Sequence, residues 1–423
     1  MVLDVVGGLI LKCGMKDIQL YEQILGLAEP WRVDGVKLKS KEQEIEVRVS
    51  FAETTWGCPQ CQQRMVIHDN EERRWRHLDS CQFKTVIIAR VPVVKCPTHG
   101  AQTVAVPWAE KYVRFSRLFE RLAIDVMQEC SISGACELLR ISWDEADGIK
   151  QRAVKRGLER KTPVLLPRLC VDEKGMGHGH SYLTIVARAE AGRTTVEYVG
   201  EGRQQSSLDA FWQSLQPAQL AGIAAVAMDM WDPYVQSTQA HVPEAASKIV
   251  HDPFHLVKYM NEAVNEVRKS EHRRLQEQDC DLLKNTRDLW LYGQENMPGA
   301  QAERFAQIKG LNLQTSRAWA LKEVFRTFWS CPTVKVAERY FARWYSWAIR
   351  CRLTPVKKVA RLCKSHLPNL LTFFEHRLTN GPMEGLNNAI QGLIKKAFGY
   401  RNKERFKTDI FFHFGGLDLY PAQ

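Results

Sequence analysis

The chain has no run of about 18 consecutive apolar residues, so no helical membrane span is expected. Its first stretch, Met1 to Ile10, is apolar but has no basic start and no small-residue cleavage site, so no secretory leader is expected either. No internal repeat and no low-complexity tract is visible. Nor is there a disulfide framework. There are 12 cysteines, but only Cys58, Cys61, Cys81 and Cys96 lie close together. The rest are scattered singly, and Cys136 and Cys363 sit inside helical patterns. That is how a reducing cytosol uses cysteine, as a small buried residue. Negative charge is also in deficit: 48 acidic against 59 basic residues give +11, which points toward polyanion partners. At 423 residues, with 45% apolar and 25% charged positions, the chain reads as a soluble protein of roughly two to four domains.

Metal-ligand spacing comes first. The segment Glu44 to Phe51 alternates as a strand and runs into Cys58-Pro-Gln-Cys61. A second alternating stretch, Gln82 to Val94, runs into Cys96-Pro-Thr-His99. Two close ligand pairs at strand ends suit a tetrahedral structural Zn²⁺ held by Cys58, Cys61, Cys96 and His99. The alternative is two unrelated cysteine turns, with Cys81 or His77 as decoys. From Arg114 the period becomes helical, with Phe115, Leu118, Phe119, Leu122, Ile124 and Val126 as one apolar face. A short helix over 133–139, a tight link at 140–142 and a helix from Trp143 follow, the last capped by Ser142 with Glu145. This is a helix-turn-helix plan, and Lys150, Arg152, Lys155 and Arg156 are its candidate DNA contacts. An ordinary three-helix bundle with a solvated basic face is the alternative.

After Pro163 and Pro167 the pattern turns to strands. Three alternating segments are followed by a helix, the apolar run Ile223 to Met228, another helix and the strand Ser247 to His251. That is the order of an RNase H-like fold. Asp172, Asp229 and Asp252 each follow an apolar run, and open sheets put their chemistry at strand ends. The stretch from Leu256 to about Phe374 is helical, with candidate long helices at 258–277, 313–329 and 334–353, and it interrupts the sheet domain. Its tryptophans (Trp290, Trp319, Trp329, Trp344, Trp347) read as core. A last helix starts near Asn380, with Pro382 in its first turn. It places Glu384, Asn387, Asn388 and Gln391 on one face, and Leu386, Ile390 and Leu393 on another. Alone, Glu384 is a first-turn acid favoured by the helix dipole. With Asp172 and Asp229 it forms a set of hard oxygen ligands that suits Mg²⁺ or Mn²⁺. Lys395, Lys396 and Arg401 read as phosphate contacts or as a solvated face. Asp232 is a candidate helix cap. His255 is open between a structural, a DNA-contacting and a site role.

The ordered motifs Val171-Asp-Glu-Lys, Met228-Asp-Met-Trp-Asp-Pro-Tyr, His251-Asp-Pro-Phe-His, Thr379-Asn-Gly-Pro-Met-Glu-Gly-Leu-Asn-Asn and Phe398-Gly-Tyr-Arg-Asn resemble the DDE transposases of bacterial insertion sequences, the ISL-three group. The resemblance spans nearly the whole chain. It implies that Asp172, Asp229 and Glu384 are a metal-binding triad, that the N-terminal part binds terminal inverted repeats, and that DNA ends are cleaved and transferred. It also implies a homodimer or larger assembly on double-stranded DNA, in the bacterial cytoplasm. The expected fold is a mixed α/β multidomain chain: an N-terminal segment over 1–50, a zinc module over 51–108 and a helix-turn-helix over 112–161. An RNase H-like core over 165–257 and 376–423 is interrupted by a helical insertion over 258–375. The rival readings are a zinc-containing DNA-binding regulator with an inactive sheet domain, and a nuclease that cuts without joining.

Overall fold

The computed structural model describes residues 17–176, 181–190 and 192–422. Met1 to Ile10 and the His178–His180 start of one expected strand lie outside the described residues. The chain divides into two compact units, residues 1–161 with 417–423, and residues 162–416.

The first unit is built on one sheet. Helix α1 (Asp17–Leu25) precedes β1 (Trp31–Lys39), β2 (Glu44–Phe51), β3 (Thr55–Gly57), β4 (Arg64–Ser80), β5 (Phe83–Cys96) and β6 (Gly100–Thr103). The order is β1-β2-β5-β4-β3, with β6 also on β5. So β1 and β2, from the segment expected over 1–50, share a sheet with the cysteine turns. Alternation explains the pairing of β2 with β5. Val47 and Val49 of β2, and Ile87, Ala89 and Val91 of β5, enter one core with Trp31, Trp75 and Trp108. The β4–β5 turn is Cys81-Gln82, with φ of 50° and 71°, the left-handed pair that a two-residue hairpin needs.

Three helices follow: α2 (Arg117–Glu129), α3 (Ile132–Leu139) and α4 (Trp143–Arg160). Each starts on a serine. Ser116, Ser131 and Ser142 accept the N–H of Phe119, Gly134 and Glu145, and Ser142 with Glu145 forms the expected capping box. Arg140 in the left-handed region makes the tight link. The apolar face of α2 is rotated from the expected one. Phe119, Ala123, Ile124 and Met127 are buried, while Leu118 and Leu122 are exposed. The buried stripe also contains Glu120, which is tolerated because α4 supplies Arg152 and Arg156 to it. The C-terminal residues return to this unit. Arg156 donates to the Leu419 carbonyl at 2.6 Å and Arg160 to that of Tyr420 at 2.7 Å.

The second unit opens on the expected antiparallel meander of β7 (Arg168–Gly175), β8 (Tyr182–Glu190) and β9 (Arg193–Glu201). Helices α5 (Gln205–Ser214) and α6 (Pro217–Ala221) lead to β10 (Ala225–Met228). Then α7 (Asp232–His241) and α8 (Ala245–Lys248) lead to β11 (Ile249–His251). The sheet order is β11-β10-β7-β8-β9, and β10 is parallel to both β7 and β11. Asp232 is the first residue of α7 rather than its cap; Trp231 holds the cap position. One sheet face packs Val171, Val226 and Met228 against Phe211, Trp212 and Tyr234. The other packs Cys170, Ala227 and Val250 with Leu256, Met260, Met383, Leu386 and Ile390.

The chain is then helical through α9 (Pro253–Gln276), α10 (Arg287–Leu291), α11 (Gly299–Lys309), α12 (Gln314–Thr327), α13 (Val334–Arg350), α14 (Thr354–Ser365), α15 (Leu367–Leu371) and α16 (Phe373–His376). The three expected long helices are α9, α12 and α13. Helix α9 starts earlier than expected because Pro253, in its first turn, is preset for helix. Trp290 and Trp344 are buried in the core, Trp319 and Trp329 pack against it, and Trp347 is exposed. The unit closes with α17 (Gly381–Lys396) and α18 (Lys403–Phe414).

Gly157 of α4 offers a test of the C-terminal return. A Cβ there would stand 2.7 Å from Leu417 Cβ, with no flexible side-chain end to give way. Gly157→Ala is expected to destabilise the first unit by about 1–3 kcal/mol. An unchanged thermal midpoint would show that the tail is not held on α4.

Candidate functional site

Two constellations need separate treatment. In the first unit, Cys58 and Cys61 lie in the β3–β4 turn, Cys96 ends β5, and His99 lies in the β5–β6 turn. Their donor atoms all lie within 4.8 Å of one another. Cys61 Sγ and Cys96 Sγ are 3.7 Å apart, and His99 Nδ1 is 3.7 Å from Cys58 Sγ and 3.4 Å from Cys96 Sγ. A tetrahedron with bonds of about 2.0–2.3 Å has edges of about 3.5–3.8 Å, and these three separations are close to that, as a zinc site requires. The sulfurs are too far apart for disulfides. Backbone N–H of Cys61 turned on the Cys58 sulfur is the chief cause that lowers this thiol to about 6. The same amide geometry favours a thiolate ligand. Cys81 is exposed in its hairpin turn, and buried His77 bonds Ser116 instead. Replacing both Cys58 and Cys61 with Ser is expected to remove about one zinc per chain, measured by elemental analysis. Zinc retained in that variant would sink the assignment.

The basic row expected on the DNA face of α4 mostly turns inward. Lys150 and Arg156 are buried. Arg156 pairs with Glu110 and Glu120 at 2.9 and 3.1 Å, and Arg152 pairs with Glu120. The reason is charge compensation: a buried Glu120 needs cations within reach, and α4 is the helix beside it. Of the four, Lys155 is the exposed one. In the second unit, Asn388, Lys395, Lys396 and Arg401 are exposed, while Asn387 is half-buried.

The second constellation is set by register. Met228 of β10 is level with Val171 of β7 and with His251 of β11. The next residue of each path is therefore Asp172 within β7, Asp229 just past β10 and Asp252 just past β11, three aspartates side by side. Strand alternation decides their face. Cys170, Ala227 and Val250 point to the side of α9 and α17, so the aspartates two residues on point there as well. Glu173 takes the opposite direction, toward Arg203 at 3.8 Å.

Helices α9 and α17 then fasten this row. His255 of α9 lies between two of the aspartates, 2.7 Å from Asp229 Oδ1 and 3.1 Å from Asp252 Oδ2. Asp252 Oδ1 accepts the N–H of Asn380, the cap of α17. Asn387, two turns into α17, donates to Asp172 Oδ2 at 2.7 Å, and Lys174 donates to the Asn387 carbonyl at 3.0 Å. Glu384 is three residues before Asn387, hence on the same helix face one turn away. It is exposed, and it is not drawn into a tight cluster with Asp172 and Asp229. Its neighbours Met383, Leu386 and Ile390 are buried. Leu393, expected on the packing face, is only half-buried.

Electrostatics follow from the crowding. Burial, then the neighbouring Asp229, push the Asp172 carboxyl up to about 7. Burial opposes charge on His255, but Asp229 and Asp252 outweigh it and raise the imidazole to about 10. Among these groups the sequence reading left Asp252 and His255 unassigned. The signal was present as a third apolar run ending in aspartate.

The sign for Asp172 is clear. Its folded-state pKa is above the unfolded value of about 3.9. The native state therefore holds a proton that the unfolded chain has lost, and stability from this group falls as pH rises toward 7. Asp172→Asn cannot ionise. In magnesium-free buffer it is expected to raise the melting temperature near about pH 8 and to change it little near about pH 4, close to the unfolded value. Equal shifts at both values would contradict the crowding.

Comparison with known proteins adds three matches. Residues 169–410 match a family described as Transposase, of the ISL3 type. Residues 54–99 match the zinc-finger of transposase IS204/IS1001/IS1096/IS1165, and residues 104–154 the helix-turn-helix domain of transposase family ISL3. The transposase for insertion sequence element IS1557 of Mycobacterium tuberculosis is 26% identical, over 92% of this chain and 94% of its own. The transposase for insertion sequence element IS1001 of Bordetella parapertussis is 26% identical, over 85% and 89%. The transposase match alone covers more than half of the chain, and with the zinc-finger and helix-turn-helix matches before it in the same order, the chain belongs to the ISL3 family of transposases.

Proposed function

We propose that this transposase cuts the ends of its insertion sequence and joins them to target DNA at a site formed by Asp172, Asp229 and Glu384. The observation that carries the reading is the register match of Asp172 with Asp229, with α17 docked on Asp172 through Asn387 one turn from Glu384. Three antiparallel strands followed by two parallel ones, in the order β9-β8-β7-β10-β11, support an RNase H-like core. Helices α9 to α16 then stand as the insertion between β11 and α17. Asn380 Oδ1 and Asn387 Oδ1 are buried without a hydrogen-bond donor, and the donor set of Asp172, Asp229 and Glu384 is all oxygen. Such a set fits Mg²⁺ or Mn²⁺. Bound there, these ions would supply charge neutralisation and orientation for phosphoryl transfer.

The chain's own groups do the positioning. His255 fixes Asp229, Asn387 fixes Asp172, and Asp252 ties the start of α17 to the sheet. Water and then a DNA 3′-hydroxyl are the nucleophiles, so no covalent protein nucleophile is needed. The helix-turn-helix reads the terminal inverted repeats, with Lys155 as an exposed cation of its last helix. Asn388, Lys395, Lys396 and Arg401 meet phosphates, and two ends are paired by a homodimer or larger assembly.

Glu384→Gln keeps size and helix propensity while removing the charge. It is expected to leave binding of a terminal-repeat duplex unchanged and to cut Mg²⁺-dependent cleavage by about 100-fold or more. Cleavage at the wild-type rate would refute the assignment of Glu384. A pre-cut end offered to the wild type separates this reading from a nuclease, because only a transposase joins it to target DNA.

A further inference from the structure

The turn that ends α17 carries a side chain that packing does not explain. It closes with Gly399 N–H on the Ile394 carbonyl at 2.9 Å and Phe398 N–H on the Lys395 carbonyl at 3.2 Å. That is a Schellman closure, whose residue after the cap is left-handed and usually glycine. Here the position is Phe398, with φ of 53°, and the glycine comes one residue later. A bulky aromatic side chain in this region is strained. Phe398 is also 99% exposed, the most exposed of the large apolar residues described, so no burial offsets the strain.

The stem of the turn is rigid. Tyr400 turns inward, stacks on Phe406 at 4.6 Å and donates to Asp409. Asn402 caps α18 through the N–H groups of Glu404 and Arg405. The flanks are basic and exposed: Lys395 and Lys396 before the turn, Arg401 after it. A fixed apolar point ringed by cations has the chemistry of a groove-binding wedge. The cations take phosphates, and the ring enters between base pairs.

We propose that Phe398 is a wedge that enters the base stack of duplex DNA lying along α17, with Lys395, Lys396 and Arg401 on the flanking phosphates. The proposal rests on the reading of α17 as the helix that carries Glu384 to the scissile phosphate. The helix sets the spacing. From Glu384 to Phe398 the rise is about 21 Å at about 1.5 Å per residue, which is about six base-pair steps of about 3.4 Å. The unstacked step is therefore about six base pairs from the cleaved phosphate.

The test uses the full chain, without magnesium, on a duplex of the element's own terminus carrying 2-aminopurine at successive positions. Wild type is expected to raise fluorescence several-fold at a step about six base pairs from the cut, Phe398→Ala to abolish the rise, and Phe398→Leu to keep most of it. Phe398→Gly, which relieves the left-handed position, loses the rise without lowering the melting temperature. Changing both Lys395 and Lys396 to Gln lowers the slope of log affinity against log salt by about two. A rise that survives Phe398→Ala overturns the wedge. So does a Phe398→Ala variant that keeps the rise and changes only the sedimentation of the free protein, since Phe398 is then a subunit contact. Magnesium-dependent cleavage of the same duplex by wild type is run in parallel. Its absence refutes the site reading, whereas cleavage with no Phe398-dependent unstacking refutes the wedge alone.

Discussion

The second unit depends on one register. Because Met228 is level with both Val171 and His251, three aspartates are forced side by side, Asp172 within β7 and the other two just past the ends of β10 and β11. At a strand spacing of about 4.8 Å, two such charges repel by about 3 kcal/mol at an effective dielectric of about 20. That repulsion is what the surrounding elements are arranged around. His255 on α9 neutralises two of the three from within. Asp172, without such a cation, keeps its proton to a higher pH and takes an amide donor from α17. The row of acids is left short of positive charge at the Asp172 end.

The same accounting of charge shapes the first unit. Glu120 is buried on α2, so Arg152 and Arg156 of α4 turn to it instead of to solvent. Arg156 and Arg160 also hold the carbonyls of Leu419 and Tyr420, which makes the last residues of the chain part of the N-terminal unit. The count of 59 basic residues is therefore not a direct measure of DNA-facing surface. Some of them balance acids inside, and those outside include Lys155, Lys395, Lys396 and Arg401. The zinc ligands play the matching part at the other end of the sheet. Two turns, β3–β4 and β5–β6, bring four donor atoms within 4.8 Å of one another.

Much of this was legible in residue order. Alternation identified β2 and β5, an apolar run identified β10, Ser142 with Glu145 identified the cap of α4, and ligand pairs at strand ends identified the cysteine-histidine cluster, whereas the long strand β4 went unread. These signals are local: a period of two, a cap three residues from its partner, a Cys-x2-Cys turn. The misread features are those that a neighbour decides. The face of α2 rotated because Glu120 found partners on α4. Asp252 and His255 looked ambiguous because their meaning lies in a register between strands.

Residue order alone was enough for the elements of the second unit and their succession, the four zinc-type ligands and the acids that end apolar runs, since each of these depends on neighbours along the chain; it missed β4 and β6 of the first unit. Only the tertiary structure decided which cations are spent on buried acids and which stay at the surface. It alone brought Asp172, Asp229 and Asp252 level, put His255 between two of them, and set Asn387 rather than Glu384 against Asp172. The physical reason is that charge compensation in a protein interior acts across space, between residues as far apart in the chain as Asp172 and Asn387.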